Sequence, residues 1–110
     1  MQCGVTCLAM ICHHYGREYD IEYLDEYCHA SNTGVSLLGI KEGAEAVGLE
    51  ATGVALSIDQ LKELTLPCIL HWNQNHFVVL YGISKNGKKY HIADPGKGLR
   101  VVDVAELEQH

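Results

Sequence analysis

An α+β domain, with helices in the first half of the chain and an antiparallel sheet in the second, is what this sequence predicts, and three observations predict it. Up to Gly48 the apolar residues recur at three- and four-residue spacings, and two of the segments they define end on a Gly, Gly16 and Gly48. From Cys68 onward they gather instead into short runs rich in β-branched and aromatic residues. The runs Cys68–Trp72, His76–Ile83 and residues 89–93 are separated by Asn73-Gln74-Asn75 and by Lys85-Asn86-Gly87, and an Asn-Gly pair between two such runs is a strong hairpin signal. With 110 residues the chain reads as a single domain, 1–110, with a helical half of about 1–48 and a sheet half of about 49–110.

In order along the chain, Cys3 falls in the first turn of a helix whose buried side carries Val5, Leu8, Ile11, Cys12 and Tyr15, and Tyr15-Gly16 closes it. A second helix follows over residues 20–29. Asp20 is its N-cap, Ile21, Leu24, Tyr27 and Cys28 point inward, and Glu22, Asp25 and Glu26 face water. After the turn cluster Ser31-Asn32-Thr33-Gly34, Ser36 caps a third helix with an apolar stripe of Leu37, Ile40, Ala44 and Val47. Residues 49–55 alternate weakly and read as a strand. Residues 57–64 form a short capped helix ended by Pro67, with Asp59 as a cap. Beyond the hairpin, Asp94-Pro95-Gly96-Lys97-Gly98 is a turn, residues 99–102 a last strand, and residues 104–109 the start of a helix capped by Asp103.

Charge and composition narrow the function. A net charge of −6 without any Lys/Arg cluster disfavours nucleic acid, whose phosphates need a basic footprint, and suits a neutral or basic peptide partner. The longest unbroken apolar run, Phe77-Val78-Val79-Leu80-Tyr81, is far too short to span a bilayer. No secretory pattern precedes Cys3, so the domain is expected in, or facing, the cytoplasm. Five cysteines, at 3, 7, 12, 28 and 68, then read as reduced thiols, four of them core filler. Cys3, Cys7, Cys12, His13 and His14 lack the paired short-loop spacing of structural zinc, and no metal is expected.

One cysteine is placed differently. Cys3 stands beside Gly4 at a helix start, where backbone N–H groups and the helix dipole stabilise a thiolate. Gly4 both eases the chain into the helix and leaves room for a substrate backbone near sulfur. Thiol catalysis also needs a base within reach of sulfur and a third group to orient it. His76 opens the long apolar strand and Asp94 closes the next one. An antiparallel hairpin between them lays the start of one strand beside the end of the other. His71 competes for the role of base, but beside Trp72 it reads as a buried, hydrogen-bonded histidine, and His91 reads likewise.

Gln2-Cys3-Gly4 running into Cys7-Leu8-Ala9-Met10-Ile11 and Tyr15-Gly16, then Asn75-His76-Phe77-Val78-Val79-Leu80, then Ala93-Asp94-Pro95-Gly96 with Gly98, resembles the double-glycine-leader cysteine peptidases, the bacteriocin-processing domains of peptidase-containing ABC transporters. The middle section, Thr33-Gly34-Val35-Ser36-Leu37-Leu38-Gly39-Ile40 and Ala46-Val47-Gly48-Leu49, is similar too. The resemblance implies a papain-like fold with Cys3 as nucleophile, His76 as general base and acid, and Asp94 orienting the histidine. It also implies cleavage of a precursor peptide after Gly-Gly or Gly-Ala, coupled to export, at the cytoplasmic face of the bacterial cell membrane. The precursor's leader would be an amphipathic helix received in an apolar groove. ATP and Mg would serve an attached ATPase domain, with no cofactor in this one. Two positions depart from the family pattern: Gln2 stands where an acidic residue is usual, and the glutamine that helps form the oxyanion hole would fall ahead of Met1. The competing expectations are a leader-binding domain that recruits export cargo without cutting it, and a different papain-like amidase or isopeptidase.

Overall fold

The computed structural model of the chain describes residues 3–29, 35–53, 57–72 and 76–108. The clusters Ser31-Asn32-Thr33-Gly34 and Asn73-Gln74-Asn75, and Gln2, lie outside the described residues. The described elements are helices α1 (Cys3–His14), α2 (Ile21–Cys28), α3 (Leu37–Ala46) and α4 (Ile58–Leu61), strands β1 (Cys68–Trp72), β2 (His76–Ile83), β3 (Lys89–Asp94) and β4 (Gly98–Asp103), and helix α5 (Val104–Glu108). The chain divides into two compact units, Met1–Val54 and Ala55–His110.

The first unit is three helices around a small core. Val5, Leu8 and Cys12 of α1 meet Leu24 and Cys28 of α2, with Ala44 and Val47 from α3 and its end. Gly16 closes α1 at φ 82°, and Arg17 N–H donates back to Cys12 O at 2.9 Å, so the turn satisfies carbonyls the helix leaves open. Gly48 ends α3 in the same way, and the Arg17 guanidinium donates to Val47 O at 2.6 Å, tying the ends of α1 and α3 together. Ser36 caps α3 as expected, accepting from Gly39 N–H at 3.0 Å.

The structure differs from several expectations for this unit. Tyr15, Tyr27 and Leu37 are exposed rather than inward: Tyr15 lies past the last turn of α1, and the Tyr27 ring tilts against Tyr23, which in turn stacks on Tyr19. Asp20 occupies the N-cap position of α2 without a side-chain hydrogen bond to it, and Asp25 is half-buried. Residues 49–53 are not a strand, because weak alternation beside a closed three-helix core gives the segment no strand to pair with.

In the second unit four strands lie in the order β1-β2-β3-β4, every neighbour antiparallel. Trp72, Val78, Leu80, Tyr90, Ile92 and Val102 share one face, covered by Leu61 of α4 and Leu107 of α5. Phe77 and Val79, on the opposite face of β2, are buried as well, which is why the sequence shows an unbroken apolar run there. The Asn86-Gly87 turn joins β2 to β3, and Tyr90 anchors its buried hydroxyl on Gly87 O at 3.2 Å. The register shifts between Leu80 and Gly82, leaving Tyr81 as an extra, exposed residue.

Around the sheet, α4 is shorter than expected and ends well before Pro67, and Ser57 rather than Asp59 caps it, in a capping box with Gln60. Asp103 does cap α5, accepting from Glu106 N–H at 2.8 Å. His71 is exposed, not buried: on the edge strand β1 its ring lies on the opposite face from Trp72 and stacks on Phe77 with centroids 4.5 Å apart. His91 is half-buried.

Gly39 and Gly43 set how closely α2 and α3 cross. A methyl group at Gly39 would overlap the Cys28 carbonyl oxygen, and one at Gly43 would overlap the Cys28 sulfur. Ala at Gly39 gains about 1 kcal/mol of helix propensity but collides with backbone that has nowhere to move. Gly39→Ala is therefore expected to lower unfolding free energy by about 1–3 kcal/mol in urea titration, whereas Gly53→Ala, whose methyl would meet Leu37 at ordinary contact distance, leaves it unchanged.

Candidate active site

The two residues that the hairpin was expected to bring together are together. His76 is the first residue of β2 and Asp94 the last of β3. Ala93 pairs with Val79, so continuing the register sets Asp94 level with Val78, two residues from His76 and on the same face. From there His76 Nε2 lies 2.8 Å from Asp94 Oδ1. The pair is diagonal rather than directly opposed, which gives a carboxylate room to approach the imidazole edge-on.

Asp94 is buried, with 3% of its surface exposed, whereas the His76 side chain keeps 24%. Burial works against an ionised carboxylate. Here the Gly96 N–H, which donates to Oδ1 at 2.9 Å, the His76 ring and the Lys97 N–H together outweigh it, and the carboxyl is held below its usual range. An ionised Asp94 has no proton to offer, so the proton in the His76–Asp94 bond sits on Nε2. Nδ1 is then the nitrogen left to accept or give one. The Pro95-Gly96 turn thus has a second task besides reversing the chain: it points N–H groups at the carboxylate.

Cys3 belongs to the first unit. It is the first residue of α1, buried to 6% exposure, with Gly4 beside it buried too. One turn on, Cys7 is fully buried, as are Cys12 and Cys28, and Cys68 is half-buried, which fits the expectation of core thiols. Desolvation raises the Cys12 thiol and pushes Cys28 and Cys68 up to about 11, so these three remain protonated at neutral pH. Among the described residues no cluster of His, Cys, Asp and Glu could hold a metal ion, and no helix is long and apolar enough to cross a membrane.

Sequence reasoning missed two residues here. Arg100 of β4 places Nη1 4.0 Å from Asp94 Oδ2, and its Nη2 donates to Glu106 Oε2 at 2.6 Å. The available signal was positional: Arg100 is two residues before the inward-facing Val102, so it is a charge on the core face of a strand.

Comparison with known proteins places the chain in a family. The chain is 39% identical over 109 residues to the colicin V secretion/processing ATP-binding protein CvaB of Escherichia coli, covering 99% of this chain and 15% of that protein. It is 38% identical over 113 residues to the lactococcin-G-processing and transport ATP-binding protein LagD of Lactococcus lactis subsp. lactis, covering 97% of this chain and 16% of that one. It therefore spans about 15% of the length of the curated relatives it matches. Among solved structures, a double glycine motif protease from an AMS/PCAT transporter, in complex with the leader peptide, superposes with a TM-score of 0.91 at 38% identity, over 98% of this chain and 76% of that one. The peptidase domain of Streptococcus ComA superposes with 0.84 at 29% identity, over 96% and 81%. The profile of the Peptidase C39 family matches residues 1–110 in full. A histidine and an ionised carboxylate paired at the end of a sheet, a cysteine at the head of a helix, and matches along the whole chain lead to one assignment: this chain belongs to the peptidase C39 family of cysteine peptidases.

Proposed function

We propose that this chain is a cysteine endopeptidase that removes the leader of a secreted peptide precursor after a Gly-Gly or Gly-Ala pair, with Cys3, His76 and Asp94 as its catalytic triad. The observation that carries the proposal is the 2.8 Å His76–Asp94 pair, which commits Nε2 to the carboxylate and frees Nδ1 for proton transfer. The names of the relatives, which pair processing with transport, supply the substrate class.

In the proposed reaction the Cys3 sulfur, deprotonated by His76 Nδ1, attacks the carbonyl carbon of the second leader glycine. The oxyanion so formed takes a hydrogen bond from the backbone N–H at the head of α1. His76 Nδ1 then returns its proton to the leaving amine, the mature peptide departs, and a thioester to Cys3 remains. Water, activated by the same nitrogen, hydrolyses the thioester and regenerates the thiol. Asp94 holds the ring in the required tautomer and stabilises the imidazolium without taking its proton. Glycine beside the cut bond leaves the backbone free to approach sulfur over Gly4.

The wider setting we propose by analogy with the same relatives. The precursor's leader would dock as an amphipathic helix, the membrane and ATPase domains of an ABC exporter would carry the product out using ATP and Mg, and this domain would work at the cytoplasmic face of the bacterial membrane.

Cys3→Ala is expected to abolish cleavage of a precursor with a Gly-Gly leader, and iodoacetamide at pH 7 to label Cys3 first while Cys12, Cys28 and Cys68 stay slow. Undiminished cleavage would remove Cys3 from the mechanism. His76→Ala should lower kcat at least about a thousandfold, whereas His71→Ala, which removes an exposed ring stacked on Phe77, should change kcat less than about twofold. The opposite ranking in a peptide assay would reassign the base.

Asp94 also links stability to pH. Its folded-state pKa lies below the unfolded value of about 3.9, so its contribution is present above that value and is lost as pH falls through the folded pKa. Asp94→Asn should therefore flatten the fall in melting temperature between about pH 5 and pH 2. A curve parallel to wild type in that window would show that this carboxylate is not the linked group.

A further inference from the structure

We infer that Arg100, anchored by Glu106, is a positioning residue of this active site that acts through Asp94. The inference rests on the triad proposed above. The two oxygens of Asp94 are held differently: Oδ1 takes the His76 ring and the Gly96 N–H, while Oδ2 faces the Arg100 guanidinium at 4.0 Å. A carboxylate fixed at one oxygen still pivots about its Cβ–Cγ bond, and the pivot carries the acceptor out of the imidazole plane. A cation at the second oxygen resists that motion.

The cation is itself fixed. Arg100 Nη2 donates to Glu106 Oε2 at 2.6 Å, and Glu106 sits on α5, which is held by the Asp103 cap and by Leu107 in the core. The planar fork of an arginine reaches two carboxylates at once, which a lysine ammonium on its single point does not.

The charges add to something specific. Asp94, Arg100 and Glu106 together carry −1, the same as Asp94 alone, so the guanidinium steadies the carboxylate without cancelling the negative charge beside His76. The charged group in contact with His76 is Asp94 from β3; Arg100 from β4 and, through it, Glu106 from α5 stand behind that carboxylate, and the proposed triad adds the Cys3 thiol. Of the other titratable groups of the sheet, Tyr90 shares this face and donates its hydroxyl to Gly87 O at the far end of β3. By strand alternation His71, Lys89, His91 and Asp103 lie on the opposite face, and Cys68 pairs with Leu80 at the far end of β1. Asp59, Lys62 and Glu63, at and after α4, are exposed.

The test is the pH profile of kcat and kcat/KM for cleavage of a Gly-Gly precursor peptide. Arg100→Met leaves −2 behind the imidazole and should move the alkaline limb up by roughly half a pH unit, while Glu106→Gln leaves zero and should move it down by as much. The double variant restores −1 and the wild-type limb, but lacks the clamp and should keep a loss of about tenfold in kcat at unchanged KM. Arg100→Lys should leave the limb in place with a similar loss. Limbs that stay put or move the same way in the two single variants, or an unchanged kcat in folded Arg100→Met, would overturn the inference. Should Arg100→Met not fold, Glu106→Gln alone decides by the direction of its limb. His76→Ala and Asp94→Ala run alongside: full turnover in either sinks the triad and the clamp with it, whereas their loss beside wild-type behaviour of the Arg100 and Glu106 variants sinks the clamp only.

Discussion

Keeping a carboxylate ionised inside the sheet unit is the constraint on which the rest of the site depends. Among the described residues Asp94 is the one charged side chain that is buried, and an unpaired buried carboxylate would cost several kcal/mol or take up a proton. A protonated Asp94 would hold no fixed imidazole tautomer. What surrounds it serves to prevent that: a turn whose N–H groups point inward, a histidine on the neighbouring strand, and a guanidinium on the other side, itself pinned to a short helix. Local sequence, strand register and the end of the chain's described part thus converge on one oxygen pair.

Much of this was legible from residue order because the signals are short-range. The Asn86-Gly87 turn specifies which strands pair, antiparallel pairing specifies which ends meet, and His76 and Asp94 occupy those ends. Ser36 and the glycines at 16 and 48 announce helix ends through geometry that few other residues supply. The strands were easy to bound, too, since β1 and β2 coincide with their apolar runs.

What escaped depends on contacts between elements. Tyr15, Tyr27 and Leu37 satisfy a three-four spacing yet lie outside the core, because the first unit is small enough for Val5, Leu8, Cys12, Leu24 and Cys28 to fill it. His71 looked buried because its neighbours are apolar; on an edge strand the alternate face is free to stay wet. Arg100 stood out only as a charge on the core face of its strand, and its pairing with Glu106 was not legible: six residues apart, on a strand and a helix, they meet only when α5 folds back over β4.

The five thiols sit in different settings, and the one proposed as nucleophile is set apart by its position. Burial among apolar side chains raises Cys12, Cys28 and Cys68 toward values at which no thiolate exists near neutrality, so packing alone silences them. Cys3 shares their residue type and nearly their burial, but it is placed at the head of a helix, where backbone N–H groups are not yet spent on intrahelical bonds. The same helix that buries Cys7 and Cys12 along its length holds Cys3 at its positive end, so position along α1, more than solvent exposure, sets the proposed nucleophile apart from the other thiols.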